Sequence, residues 1–153
     1  MKIYFASDHA GFELKDALIK YASELGYATE DLGAHTLNPD DDYPDFIMPL
    51  AVRVAAESDS RGIIIGGSGQ GEAMAANRVK GIRAAVFYSP AQCRDVKRPD
   101  IDIIQVMREH NNANILSLGA RFITPEEAEI AVKSFLETPF SDSPRHTRRL
   151  AEF

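Results

Sequence analysis

Residues 62–72 have the sequence GIIIGGSGQGE, a short β-branched run followed by a glycine-rich turn that ends on Glu72. The run is short enough for a fully buried strand, and the glycines mark the turn after it. Similar runs elsewhere predict four more strands. The five predicted strands are Ile3 to Ala6, Tyr27 to Leu32, Gly62 to Ile65, Ile82 to Phe87 and Asn114 to Leu118.

Helical patterns separate these strands. Apolar residues share one helical face within 14–25 and again within 47–54. A later helix is predicted to begin at Thr124, where Glu127 can close a capping box. Because strands and helices alternate, the connections are right-handed crossovers and the strands are parallel. The prediction is a doubly wound, Rossmann-like αβα sandwich of three layers with a five-stranded parallel sheet, formed as a single domain over residues 1–153.

Composition limits the partners and the cellular location that we expect for the protein. The chain has 153 residues, of which 44% are hydrophobic, and a net charge of -6 that argues against a nucleic-acid partner. Its one cysteine, Cys93, excludes an internal disulfide and favours a reducing compartment. The sequence has no run of about eighteen apolar residues, so we expect no membrane partner and a cytoplasmic location.

In an open parallel sheet, ligands bind beyond the carboxyl ends of the strands. Three stretches follow predicted strands there: Asp8-His9, Gly66 to Glu72, and Gly119 to Arg121. The N–H groups of the glycine-rich loop can converge on an anion or a developing oxyanion, and Ser68 adds a donor. The loop matches neither a dinucleotide fingerprint nor a P-loop. A purely structural turn is the alternative interpretation.

Each polar residue of these stretches has two interpretations. Glu72 is either a favourable charge at a helix start or a general base beside an oxyanion hole. Asp8 either caps the helix that begins near Gly11 or takes part in chemistry, and His9 is either a surface side chain or a ligand.

Other candidates lie later in the chain. His110 stands at a predicted helix end, where histidine also suits the helix dipole. Arg145, Arg148 and Arg149 are either a solvated basic tail or part of a phosphate site. The acidic run Asp40 to Asp42 lacks the glycine and glutamate of a calcium loop, so no metal site is predicted. Nothing marks Cys93 as a nucleophile.

Taken together, these motifs resemble the type B ribose-5-phosphate isomerase and galactose-6-phosphate isomerase family over nearly the whole chain. The resemblance rests on separated motifs in the same order: Ser7-Asp8-His9-Ala10-Gly11, Asp42-Tyr43-Pro44-Asp45, Gly66 to Glu72 with Ala75-Ala76-Asn77-Arg78, Gly81-Ile82-Arg83-Ala84, His110-Asn111-Asn112-Ala113-Asn114, and Arg145-His146 with Arg149.

The resemblance implies an aldose-ketose isomerase that needs no nicotinamide, flavin or metal. It implies that Ser68 and the backbone from Gly67 through Gly69 to Gly71 hold the enediolate. The family has two branches, and one takes its base from a cysteine at the position of Gly66. Glycine at that position implies the other branch, in which Glu72 is the base.

The same resemblance assigns the remaining roles. Asp8 and His110 would assist ring opening with Asn111 nearby, and Tyr43 would line the sugar pocket. The phosphate would be held by His9, Arg121, Arg145 and Arg149.

Family members are dimers or pairs of dimers that share active sites. We therefore expect a homodimer or homotetramer in which the tail 138–153 packs on a partner subunit. His110 and Arg121 are expected to reach a neighbour's pocket.

One departure bears on the substrate. The segment Ser89 to Arg108 is about ten residues longer than in other members and lies where a lid could close. Ribose 5-phosphate and ribulose 5-phosphate are the predicted pair. Tetrose or hexose phosphates, or a binding module without catalysis, are the alternatives.

Overall fold

The computed structural model describes residues 1–89 and 101–152. Its strands are β1 (Lys2–Ser7), β2 (Ala28–Asp31), β3 (Ser60–Gly66), β4 (Ala84–Phe87) and β5 (Ile115–Gly119). Its helices are α1 (Phe12–Glu24), α2 (Pro44–Ala56), α3 (Gln70–Ala76), α4 (Ile103–Glu109), α5 (Pro125–Glu137) and α6 (Pro144–Leu150), with a 3-10 turn at His9–Gly11.

The five strands form one parallel sheet in the order β2-β1-β3-β5-β4. The side chains of β3 alternate between the two faces, as the period of a strand requires. Ile63 and Ile65 pack with α1, α4 and α5 on one face, and Ile64 packs with α2 on the other. The predicted three-layer doubly wound architecture is therefore confirmed.

Most predicted elements lie where the patterns placed them. The helix at Thr124 has the full capping box, with Thr124 Oγ1 accepting from Glu127 N at 3.2 Å and Glu127 Oε2 accepting from Thr124 N at 2.9 Å. The fourth strand starts at Ala84, two residues later than predicted, because Arg83 precedes the sheet in a turn held by Asn114.

The C-terminal segment departs from the prediction. What the sequence suggested as a mixed, solvated tail contains helix α6, which begins at Pro144. None of its residues is buried. It therefore carries no apolar stripe from which a helix could have been predicted.

Two further points complete the fold. None of the helices in the described ranges has the length and apolar character needed to cross a bilayer. Residues 90–100, which include Cys93 and most of the predicted lid insertion, lie outside the described residues.

Candidate active site

The carboxyl ends of β1, β3 and β5 lie side by side. Ser7 is in register with Ile65, and Gly66 with Gly119. The segments that follow these strands therefore meet at one edge, as the fold rule predicts. We call the residues gathered there the glycine-loop cluster: Asp8, His9, Asp41, Tyr43, Gly66 to Glu72, and Arg121.

The glycine loop is held in a fixed shape by its neighbours. Gly69 has φ +72°, a left-handed conformation that glycine adopts without strain, and it precedes the first turn of α3. Ser117 Oγ, buried in β5, donates to Gly69 O at 2.6 Å. Ser68 Oγ accepts from Gln70 N at 3.3 Å. The Ser117 hydrogen bond thus attaches the loop to strand β5 of the sheet.

The loop leaves main-chain donors available. Within the described residues, the N–H groups of Ser68, Gly69 and Gly71 donate to no main-chain acceptor. Main-chain N–H groups that are left available in a loop can stabilise negative charge on a bound oxygen. The loop can therefore serve as an oxyanion site.

Glu72 lies against the start of the same loop. Its side chain fills the space above Gly66, where an added Cβ would fall 1.8 Å from Glu72 Oε1. Only 4% of the residue is exposed. Burial raises the pKa of Glu72, and the nearby charge of Asp8 raises it further, against a lowering by its own main-chain N–H. Glu72 therefore lies in the first turn of α3, as a helix-start charge would, and it is also buried against the loop, as a base would be.

Asp8 has the capping role that was one of its two interpretations. Its Oδ1 accepts from Ala10 N at 3.0 Å and from Gly11 N at 3.3 Å. The residue is 7% exposed and sits close enough to Glu72 to influence its titration. Capping fixes the carboxylate in place and leaves its second oxygen free of these two hydrogen bonds.

His9 is bound by an aspartate that the sequence did not single out as a site residue. Its Nδ1 lies 2.7 Å from Asp41 Oδ1, which also accepts from His9 N at 3.1 Å. The hydrogen bond to Asp41 raises the pKa of His9, with further raising by Asp8, against lowering by burial and by the charge of Arg121. Asp41 is thus a candidate site residue, whereas in the sequence it stood out only as part of the acidic run Asp40 to Asp42.

Topology is the signal that could have found Asp41. Its loop follows β2, and β2 is the sheet neighbour of β1, which ends just before His9. Asp8, His9 and Asp41 each offer an atom within 4.8 Å of the others. His9 Nδ1 and Asp41 Oδ1 pair with each other, and Asp8 Oδ1 accepts from two main-chain N–H groups.

Two larger side chains complete this cluster. A Cβ on Gly67 would lie 3.0 Å from the Arg121 guanidinium carbon, and one on Gly71 would lie 2.9 Å from the Tyr43 ring. Both side chains therefore rest directly on the loop. The Arg121 guanidinium packs on Gly67 of its own chain, and its contact with a neighbour's pocket stays a prediction.

A second group of predicted residues gathers elsewhere, and we call it the α6 cluster. It lines a cavity of about 340 Å³ formed by His110, Ser143, Arg145, His146 and Arg149. The rings of His110 and His146 lie 4.2 Å apart. The end of α4 is tied to this segment by Ser141 Oγ, which donates to Glu109 O at 2.7 Å.

The two clusters lie at opposite ends of the strands. The glycine-loop cluster lies at the carboxyl ends, and the α6 cluster lies at the amino ends, which we call the amino edge of the sheet. His110 comes before β5 and Arg121 comes after it, and the five residues of β5 span about 16 Å. Asn111 joins neither cluster. It lines a cavity beside β4, and its Nδ2 lies 3.4 Å from Val106 O. One chain therefore does not bring all the predicted site residues together.

Comparisons with known proteins identify one family. The profile of the Ribose/Galactose Isomerase family matches residues 3–153. Ribose-5-phosphate isomerase B of Mycolicibacterium paratuberculosis is 43% identical over 150 residues, covering 98% of this chain and 87% of the relative.

Solved structures agree with that match. Ribose-5-phosphate isomerase B from Mycoplasma genitalium, with bound ribulose-5-phosphate, superposes with a TM-score of 0.86 at 38% identity, covering 99% of this chain and 92% of that one. The enzyme from Clostridium thermocellum gives the same TM-score and identity, with 99% and 94% covered.

Proposed function

The chain belongs to the Ribose/Galactose Isomerase family, and we propose that it interconverts ribose 5-phosphate and ribulose 5-phosphate. The observation that carries the proposal is the buried carboxyl of Glu72, placed against the start of a loop whose N–H groups are available to an oxyanion. A base beside an oxyanion site is what proton abstraction next to a carbonyl needs.

The proposed step is a proton shift through a cis-enediolate. Glu72 takes the proton from C2 and returns it to C1, while the hydroxyl proton moves from O2 to O1. The carbonyl thereby moves from C1 to C2 with no oxidant or reductant, so the reaction needs no cofactor. Because burial raises the pKa of Glu72, its carboxylate is a stronger base than an exposed one.

The other residues of the glycine-loop cluster are assigned by position. Ser68 and the N–H groups of the loop would hold the charge that develops on oxygen. Tyr43, whose ring packs on Gly71, would border the sugar. Asp8, held in place by its capping hydrogen bonds near Glu72, would act in ring opening.

We further propose that a complete site needs two chains. Glu72 and His9 lie at the carboxyl ends of the strands and His110 lies at the amino end of β5, a strand whose five residues span about 16 Å. A two-fold pair can bring the α6 cluster of one chain against the glycine-loop cluster of the other. The tail 138–153 would then pack on the partner subunit.

In that arrangement the phosphate is held from both sides. His9 and Arg121 would contribute from one chain, and Arg145 and Arg149 from the other. Binding of the phosphate, which is remote from the reacting carbons, would orient those carbons against the base. His110, with Asn111 next to it, would assist ring opening from the partner side.

The test is exchange of the C2 proton with solvent deuterium. Wild-type protein is expected to exchange the C2 proton of ribose 5-phosphate and to form ribulose 5-phosphate, and Glu72→Gln to lose both. Glu126→Gln is the matched control, because Glu126 stands exposed in the first turn of another helix. A folded wild-type protein that binds ribose 5-phosphate without exchange would instead be a binding module.

A further inference from the structure

A separate cavity lies at the amino edge of the sheet. It has a volume of about 340 Å³ and is lined by three arginines. Arg61 is the second residue of β3, Arg83 directly precedes β4, and Arg108 belongs to the last turn of α4. The lining includes no residue of the glycine-loop cluster or the α6 cluster.

The hydrogen bonds of these arginines go largely to main-chain carbonyls. Arg61 Nη1 donates to Leu136 O at 2.9 Å and Arg108 Nε to Thr138 O at 3.1 Å, both at the C-terminus of α5. Arg83 Nε donates at 2.8 Å to a carbonyl in the loop before β5. Within the part of the chain that the structure describes, no carboxylate forms an ion pair with any of the three.

Two carboxylates do line the cavity, but both have other partners. Glu57 Oε1 accepts from Tyr4 Oη at 2.7 Å, and Asp59 Oδ2 is paired with the amino group of Met1 at 2.9 Å. The lining therefore carries four positive groups, the three guanidinium groups and the Met1 amino group, against only two carboxylates. The partial charge of a helix C-terminus, about half a unit, does not close this gap.

The electrostatic consequence is clearest at Arg108, which is only 4% exposed. Burial, followed by the charges of Arg61 and Arg83, lowers the pKa of Arg108 to about 10. Buried cations without a counter-charge are unfavourable, and proteins usually pair them with an anion.

We propose that this cavity is a second anion site, which binds a phosphate group between Arg61, Arg83 and Arg108. Planar guanidinium groups match the oxygens of phosphate, and a dianion supplies the missing counter-charge. Nη2 of Arg83 and Nη2 of Arg108 donate to no acceptor among the described residues, so donors remain for the ligand.

The experiment separates this site from the sugar-phosphate site. The full chain carrying Arg145→Gln and Arg149→Gln is titrated with inorganic phosphate by calorimetry. We expect about one phosphate per chain in this background, and affinity weakened about tenfold or more when Arg83→Gln is added. Arg53→Gln is the control, because exposed Arg53 lies outside the cavity and pairs with Glu30.

The outcomes are decisive in both directions. Phosphate affinity weakened about tenfold or more by Arg83→Gln, and unchanged by Arg53→Gln, supports the site. No binding in the background, or binding unchanged by Arg83→Gln, overturns it. If thermal unfolding shows that the Arg83→Gln variant is not folded, Arg61→Gln is used instead. Isomerase activity is assayed separately on Arg83→Gln alone. The phosphate-binding result can therefore be interpreted even if the protein has no isomerase activity.

Discussion

The glycine-loop cluster and the α6 cluster are built in different ways. The first is set by strand ends, and its acidic residues Asp8 and Glu72 are nearly buried. The second stands on α6, a helix with no buried residue. The proposed base is thus anchored in the fold, whereas Arg145 and Arg149, which we propose to hold the phosphate, lie on an exposed helix.

Gly66→Ala is the change with the largest expected effect on the buried side of this comparison. The new methyl group would overlap Glu72 Oε1 and move the proposed base. We expect kcat to fall by about a hundredfold or more, the scale of losing a positioned base. Steady-state assays of ribose 5-phosphate isomerisation measure it.

Gly26→Ala is the control for this change, since Gly26 has φ +88° with open space around it. It should destabilise the fold by about 1 kcal/mol through strain alone and leave kcat unchanged. Equal losses of kcat in the two variants would mean that the Gly66 effect reflects stability rather than the base.

Arg149→Gln tests the exposed side. Losing one charge-assisted contact to the phosphate should raise KM by about tenfold or more while kcat changes little. Arg148→Gln is the matched control, because Arg148 lies on the same helix but does not line the cavity. Similar KM values for the two variants would remove the α6 cluster from the phosphate site.

Ser117→Ala probes how firmly the loop is held. The change removes the buried 2.6 Å hydrogen bond to Gly69 O and leaves that carbonyl without this donor. We expect a loss of about 1–3 kcal/mol in the free energy of unfolding and a several-fold lower kcat. Chemical denaturation and kinetics measure the two effects, and an unchanged kcat would show that the loop keeps its shape without this anchor.

Asp41→Asn should give the smallest effect, and one that depends on pH. Asp41 raises the pKa of His9 above 6.5, so the variant should lower it. Both proteins carry a protonated His9 well below pH 6.5. As pH rises through the folded-state pKa, the charge and the stability that it confers are lost, and they are lost at lower pH in the variant.

KM for the sugar phosphate should therefore rise a few-fold in Asp41→Asn in a pH window that opens near about pH 6.5 and closes once wild-type His9 has also lost its proton. Titration of the His9 ring by NMR checks the cause. Asp42→Asn, an exposed neighbour, is the control. A KM ratio that stays constant across pH would contradict the assignment.

Local patterns predicted the fold and the loop that carries the proposed base. The run Ile63 to Ile65 and the glycines after it signal a buried strand and a turn without any tertiary information. The capping box at Thr124 is equally local. The glycine loop and Glu72 could be found because parallel topology brings strand ends together.

The remaining features depend on tertiary or quaternary contacts. Asp41 belongs to the site only because β2 is next to β1, and the loop pattern around it carries no sign of His9. Helix α6 has no buried residue, so no apolar stripe marks it in the sequence. Burial of Arg108 among two other arginines appears only when three distant segments meet.

The central claim is that one site combines Glu72 of one chain with Arg149 of the partner subunit, and co-expression of two inactive variants tests it most directly. One copy carries Glu72→Gln and the other carries Arg145→Ala with Arg149→Ala, assayed at low substrate. In a heterodimer one site is intact, so a random mixture should recover about a quarter of wild-type activity. Activity no greater than that of the two variants purified separately would contradict a shared site.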